Sequence, residues 1–311
     1  MDLVTLADVQ EAARRIEGVA VRTPLVRTPA LGEGLWLKPE TLQPTGAFKI
    51  RGAVNAVRKL PERARAAGVV THSSGNHGQA LAYAAREAKV PCWVVVPEGA
   101  PQVKVDAMRD LGAEIVLVPP PERPGRAAEL AAEHGAALIP PFDHPDVIAG
   151  QGTIALEILA DLPEVEVVAV PVGGGGLISG VALAVKALRP GVRVVGVEPE
   201  LAGETAESLR TGNLTTWPVE QTYRTVADGV RTHPSELTFA HIQSYVDDIV
   251  TVPEEAIRSA VGVLARGARL VVEPSGALTM AAYATGALPP GRTVAVLSGG
   301  NIDPALFRDL L

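Results

Sequence analysis

A chain of 311 residues, 47% of them hydrophobic, has enough apolar material for one or two sizeable cores, which excludes a disordered or disulfide-stapled polypeptide. Its net charge of -7 is spread over both signs without a basic run, so nucleic acid is not an expected partner. A single cysteine, Cys92, rules out an internal disulfide; with no apolar run of membrane-spanning length, the expectation is a cytoplasmic protein with no membrane partner.

In chain order, Thr5 and Asp8 have capping-box spacing for a helix through Ile16, and the N-terminus has no signal-peptide pattern. A short strand follows at Leu35–Lys38, then a glycine-containing turn and a helix from Ile50. From residue 69 the pattern is regular. Strands are expected at 69–73, 92–96, 114–118, 137–139, 166–172, 192–197, 270–272 and 293–297. Helices are expected at 78–87, 103–111, 126–134, 152–162, 178–188, 254–265 and 275–284, with a long polar loop over 199–234. Several strands are apolar on both faces, and strands alternate with helices, which predicts parallel βαβ units and helix-covered sheets. Proline-rich boundaries suggest a small domain, 53–145, inserted into a larger one made of 1–52 and 146–311.

The stretch Pro44–Gly52 (PTGAFKIRG) places Lys49 between a tight turn and a helix start, beside Phe48. Lysine is scarce here, six against 22 arginines. A lysine in a desolvated pocket loses its proton readily and condenses with a carbonyl, although most lysines are simply solvated. In parallel sheets, ligands bind beyond the carboxyl ends of strands. Those ends carry Ser73-Ser-Gly-Asn-His77, Gly173–Gly176 and Ser298-Gly-Gly-Asn301. Four glycines between strand and helix let successive N–H groups converge on a phosphate. The loop is neither a P-loop, since Val181 stands at the lysine position, nor a dinucleotide fingerprint, since Ile178 fills its last position. Ser73, Ser74, Gly75, Asn76 and His77 open a helix with hydroxyls, an amide and backbone donors, which suits a carboxylate; simple N-capping by Ser74 or Asn76 is the bland alternative. His77 itself reads as structural, and Cys92 as a packing residue. A reactive lysine, a phosphate nest and a carboxylate loop describe a phosphorylated aldehyde cofactor working on an amino acid, pyridoxal 5'-phosphate (PLP).

With VIAGQGT at 147–153 and ADGV at 227–230, these motifs resemble the fold-type II PLP enzymes over nearly the whole chain, and within them the threonine/serine dehydratase (threonine deaminase) and serine racemase group. The resemblance implies an α/β fold of the tryptophan synthase β type, with two parallel-sheet domains and helices on both faces. It implies that Lys49 carries PLP as a Schiff base, with Phe48 and Gly229 on the two ring faces and Asn76 at the phenolic oxygen. Gly173, Gly174, Gly175, Gly176 and Leu177 would hold the phosphate, and Ser298 would meet the pyridine nitrogen. The implied reaction is α,β-elimination of water from L-threonine or L-serine, giving 2-oxobutanoate or pyruvate and ammonia. Lys49 would act as the Cα base and the phosphate as the acid for the leaving hydroxyl. Ser74 would face the other side of Cα, where a racemase reprotonates, so serine racemase with side dehydratase activity is the closest rival. Racemase-like members hold Mg2+ or Ca2+; the matching ligands are Glu198, the Ala202 carbonyl and Glu204, the last replacing an expected aspartate. The resemblance further implies a homodimer or homotetramer, and the chain's end soon after Ser298 suggests no isoleucine-sensing domain. Other PLP reactions and a non-catalytic binder on the same scaffold complete the alternatives.

Overall fold

The computed structural model describes residues 2–311. Among them, the strands are β1 (Val26–Arg27), β2 (Leu35–Pro39), β3 (Val69–His72), β4 (Cys92–Pro97), β5 (Glu114–Val118), β6 (Ala137–Leu138), β7 (Val167–Pro171), β8 (Arg193–Pro199), β9 (Asp248–Val252) and β10 (Thr293–Leu297). The helices of the first half are α1 (Leu6–Ile16), α2 (Lys49–Lys59), α3 (Glu62–Ala66), α4 (Asn76–Ala88), α5 (Gln102–Asp110), α6 (Arg123–His134) and α7 (Pro145–Asp161). Those of the second half are α8 (Gly176–Leu188), α9 (Glu204–Thr211), α10 (Val219–Thr222), α11 (Glu236–Tyr245), α12 (Glu254–Ala268), α13 (Pro274–Ala284) and α14 (Pro304–Leu310).

Two sheets organise the chain. The larger runs β1-β2-β10-β7-β8-β9 and is parallel except at the β1–β2 edge; the smaller, β5-β4-β3-β6, is wholly parallel. Side chains alternate across each strand, so one strand feeds two cores. In β10, Val294 and Val296 join the cluster under α7 and α8, while Ala295 and Leu297 join the cluster under α12 and α13. In β4, Val94 and Val96 pack with α2 and α4, while Trp93 and Val95 pack with α6. Both sheets are therefore covered on both faces, as the two-sided apolar strands predict. The Thr5–Asp8 capping box forms as expected. Cys92 is buried in β4, where burial pushes its thiol up to about 12 and leaves it a packing group.

Several elements differ from the sequence reading. Residues 270–272 form no strand: they lie against the loop of Gly299 and Gly300, past the end of β10, where no strand among the described residues is available to pair with them. They run extended into Glu273, whose N–H donates to Gly299 O. The 199–234 segment is not all loop: it holds α9, α10 and a 3-10 turn at Asp228–Val230. Helix α7 begins at Pro145, capped by His144, rather than at 152. Helix α2 runs unbroken across residues 52 and 53.

Candidate active site

The chemistry-bearing loops gather where β3, β7 and β10 end. Lys49 is the first residue of α2, and Phe48 before it donates its N–H to Ser298 O at 3.0 Å. Ala47 also bridges Gly299, so main-chain bonds join the lysine turn to the β10 loop. Lys49 Nζ lies 5.0 Å from the Phe48 ring centroid and donates to Pro141 O at 2.7 Å. No carboxylate among the described residues pairs with it; burial draws its pKa down to about 8.

Pro141 connects the lysine to the tetraglycine loop. Its neighbour Phe142 presses so closely that a Cβ on Gly174 would lie 2.3 Å from the ring, and one on Gly176 would lie 2.9 Å from Phe142 Cβ. Gly175 has φ +84°, a backbone conformation that side chains resist. The four glycines are thus required by a shape. The first bond into α8 is Ser179 N–H to Gly175 O, which leaves the amides of Gly176, Leu177 and Ile178 without intrahelical acceptors at the positive end of a 13-residue helix. Gly173 abuts the 3-10 turn of Gly229, where a Cβ would sit 2.8 Å from Val230 Cα, and Gly229 N–H donates to Ser275 Oγ at 2.8 Å.

The Ser73–His77 loop leads from β3 into α4. Neither Ser74 nor Asn76 caps that helix: its N-cap is Gly75, with no side-chain cap, and its first intrahelical bond is Gln79 N–H to Gly75 O. Ser73 Oγ accepts from Gly75 N–H at 3.2 Å, which curls the turn. His77 is structural: it is 2% exposed, and its Nε2 meets Ile139 O at 2.9 Å. Burial, then the Lys49 charge, push its pKa to about 3, so it stays neutral.

Two residues that the motifs leave without a role complete the cluster, Asn301 from the loop after β10 and Glu273 from outside every motif. Glu273 Oε1 accepts from Asn76 Nδ2 at 2.7 Å, and Asn301 Nδ2 donates to Asn76 Oδ1 at 2.8 Å. Burial, then the Asp228 charge, push the Glu273 carboxyl up to about 7. A cavity of about 460 Å3 runs alongside, lined by Gln79, Lys104, Asp228, Glu273 and Asn301 among others. The Lys104 Nζ–Asp228 pair, 2.8 Å, links α5 to the Gly229 turn beside it. The missed signal was a glutamate before Pro274 at a helix start, masked by the strand assigned to 270–272.

The expected metal ligands lie elsewhere. Glu198 is in β8, 1% exposed, and its carboxylate accepts from the N–H groups of Thr205 and Ala206 at 3.2 and 2.8 Å. Glu204 opens α9 at 2% exposed, and burial raises both acids, Glu198 to about 8. No cluster of three His, Cys, Asp or Glu side chains able to hold a metal occurs among the described residues. The two acids would need the Ala202 carbonyl as third donor.

Known proteins place this arrangement. The family described as "Pyridoxal-phosphate dependent enzyme" matches residues 16–299. The chain is 43% identical to the L-threo-3-hydroxyaspartate ammonia-lyase of Saccharomyces cerevisiae, covering 100% of this chain and 97% of that protein. It is 44% identical to the L-threonine ammonia-lyase of Thermotoga maritima, covering 97% of this chain and 76% of that protein. The structure of maize serine racemase superposes with TM-score 0.94 at 35% identity, covering 99% and 97% of the two chains. The motif-bearing loops and the two parallel sheets therefore have one lineage: this chain belongs to the fold-type II pyridoxal-phosphate dependent enzymes.

Proposed function

We propose that this protein is an ammonia-lyase that eliminates water from L-threonine and L-serine in the cytoplasm. The observation that carries the reading is Lys49, an amine lowered to about 8 and hydrogen-bonded to Pro141 between the Ser298 and tetraglycine loops. PLP, when bound, supplies an aldehyde for the amine and a ring that accepts electrons. The residues fit it: the uncommitted amides of Gly176 and Leu177, with the curled Gly173–Gly175 backbone, suit its phosphate. Phe48, Gly229, Asn76 and Ser298 are assigned to its ring. Ser298 offers a neutral hydroxyl rather than a carboxylate, which suits a reaction whose leaving group departs promptly.

Lys49 Nζ first anchors the cofactor and then takes the Cα proton, a role that needs the neutral amine at working pH. The Ser73–His77 turn, with the N-terminal amides of α4 uncapped, binds the substrate carboxylate. The β-hydroxyl would depart as water on a proton supplied from the cofactor's phosphate, held by the Gly173–Gly176 loop, and the enamine released would hydrolyse to the 2-oxo acid and ammonia. Ser74 is assigned to the opposite side of Cα. That assignment, with the likeness to maize serine racemase, favours racemisation as the second reading. The reading includes a homodimer or homotetramer, and Mg2+ or Ca2+ at Glu198, the Ala202 carbonyl and Glu204. Two buried acids and a carbonyl make a hard oxygen donor set.

A 2-oxo acid assay across L-threonine, L-serine and D-serine, with and without EDTA, tests this. Turnover of the two L-substrates is expected. D-serine accumulating from L-serine faster than pyruvate would put racemisation first, and no 2-oxo acid from either L-substrate would sink the proposal.

A further inference from the structure

Asn76 occupies a chain of bonds that fixes which way its amide points. Asn301 Nδ2 donates to Thr45 O at 2.8 Å, so that atom is the nitrogen; its other partner, Asn76 Oδ1, is therefore an oxygen. The second Asn76 position is then the NH2 group, which meets Glu273 Oε1 at 2.7 Å. One of its two hydrogens is claimed and one is left. Glu273 is 4% exposed, and its own N–H donates to Gly299 O at 3.0 Å, which ties it to the loop of Ser298. Gly299 leaves room for the carboxyl, since a Cβ there would approach Glu273 Oε1 to 2.4 Å.

We propose that Glu273 is a positioning residue that acts through Asn76, aiming the remaining amide hydrogen at the ring oxygen of PLP and joining α4 of the smaller sheet to the β10 loop of the larger. The inference rests on the PLP reading above and adds a residue that the motifs do not contain. Glu273 needs no contact with the cofactor. As an acceptor that cannot donate when ionised, it forbids the flipped amide, which would turn an oxygen toward a ring oxygen.

The test is a double-mutant cycle on the full-length protein, read as PLP affinity and as the pH midpoint of the visible band before substrate is added. Asn76→Ala and Glu273→Ala are each expected to weaken PLP about tenfold, the equivalent of 1.4 kcal/mol. Both should shift the midpoint in one direction, and the double variant should be no weaker than the weaker single. Glu273→Gln, which keeps an acceptor oxygen, should recover most of the affinity. If Glu273→Ala folds poorly, Gly299→Ala, whose methyl would meet Glu273 Oε1 at 2.4 Å against 3.2 Å for Asn76 Nδ2, displaces chiefly the carboxyl while Glu273 stays and should reproduce the midpoint shift. Additive losses in the double variant, or a wild-type midpoint in Glu273→Ala and Gly299→Ala, would overturn the inference alone. A wild-type protein without a visible band that borohydride abolishes would instead overturn the PLP reading and this inference with it.

Discussion

Lys49 Nζ and the carbonyl oxygen of Pro141, 92 positions apart in sequence, are 2.7 Å apart in space. The bond holds the amine against a segment whose next residue, Phe142, is clamped by Gly174 and Gly176. Lys49 and the tetraglycine loop are thus positioned by the same short stretch of chain. A carbonyl rather than a carboxylate meets the amine, so no opposite charge offsets the cost of burying its charged form.

That environment sets a pH dependence. Only the neutral amine attacks an aldehyde, and burial lowers the Lys49 pKa from 10.5 to about 8. The rate of cofactor attachment to the apoprotein should therefore rise about tenfold per pH unit up to about 8 and level off above it. Stopped-flow growth of the visible band measures this. A rise that continues to the ordinary lysine value would mean that the amine is solvated. Lys49→Ala should still bind PLP loosely, but without a borohydride-sensitive band and without turnover.

The glycine loop makes a steric prediction. In Gly174→Ala, the new methyl would meet the Phe142 ring at 2.3 Å, so either the loop or Phe142 must move. Because Phe142 follows Pro141, the shift reaches Lys49 as well as the phosphate nest. PLP affinity is expected to fall by at least about tenfold, with free inorganic phosphate becoming a weaker competitor. Equilibrium titration with PLP and with phosphate checks both. Unchanged affinities would mean that the loop holds no phosphate.

Much of this was legible in the sequence because it is local. Strand periodicity, the Thr5–Asp8 box and glycine-rich strand ends are short-range signals; they carried the parallel sheets, and they named most of the loops that meet at the candidate site. Glu273 was not legible, since its meaning depends on Asn76, 197 positions away. The extended run at 270–272 has the apolar character of a strand, but a strand also needs a free neighbour, and that depends on the whole sheet order. Glu198 falls just past the strand expected at 192–197 and is instead buried in β8, its lone pairs met by the amides that open α9.

Glu198 and Glu204 predict a cation effect that can be separated from catalysis. Millimolar Ca2+ or Mg2+ should raise the melting temperature of the purified protein, and EDTA should reverse the rise. Binding to the folded state alone adds about 2.7 kcal/mol at a hundredfold excess over Kd. Glu204→Gln should remove the increment while leaving the Glu198 bonds to α9 in place. A wild-type melting temperature indifferent to both ions and to EDTA would remove the metal from the proposal.

Arg51, two residues after Lys49 on α2, anchors that helix through a charge network. Its guanidinium is 0% exposed and donates to both Glu40 oxygens at 2.7 and 2.8 Å, and to Glu157 at 2.6 Å; Lys38 Nζ pairs with the same Glu157 at 2.6 Å. The two cations and two carboxylates balance, which is what makes their burial tolerable. Arg51→Met would leave Glu40 buried without its main partner, at a cost of about 3–5 kcal/mol. Arg51→Met with Glu40→Gln should recover part of that, since no uncompensated carboxylate remains at that position. Urea denaturation measures both. A single variant as stable as wild type would show that the network is not what holds the lysine-bearing helix, and that the apolar packing of α2 against α4 and α7 suffices.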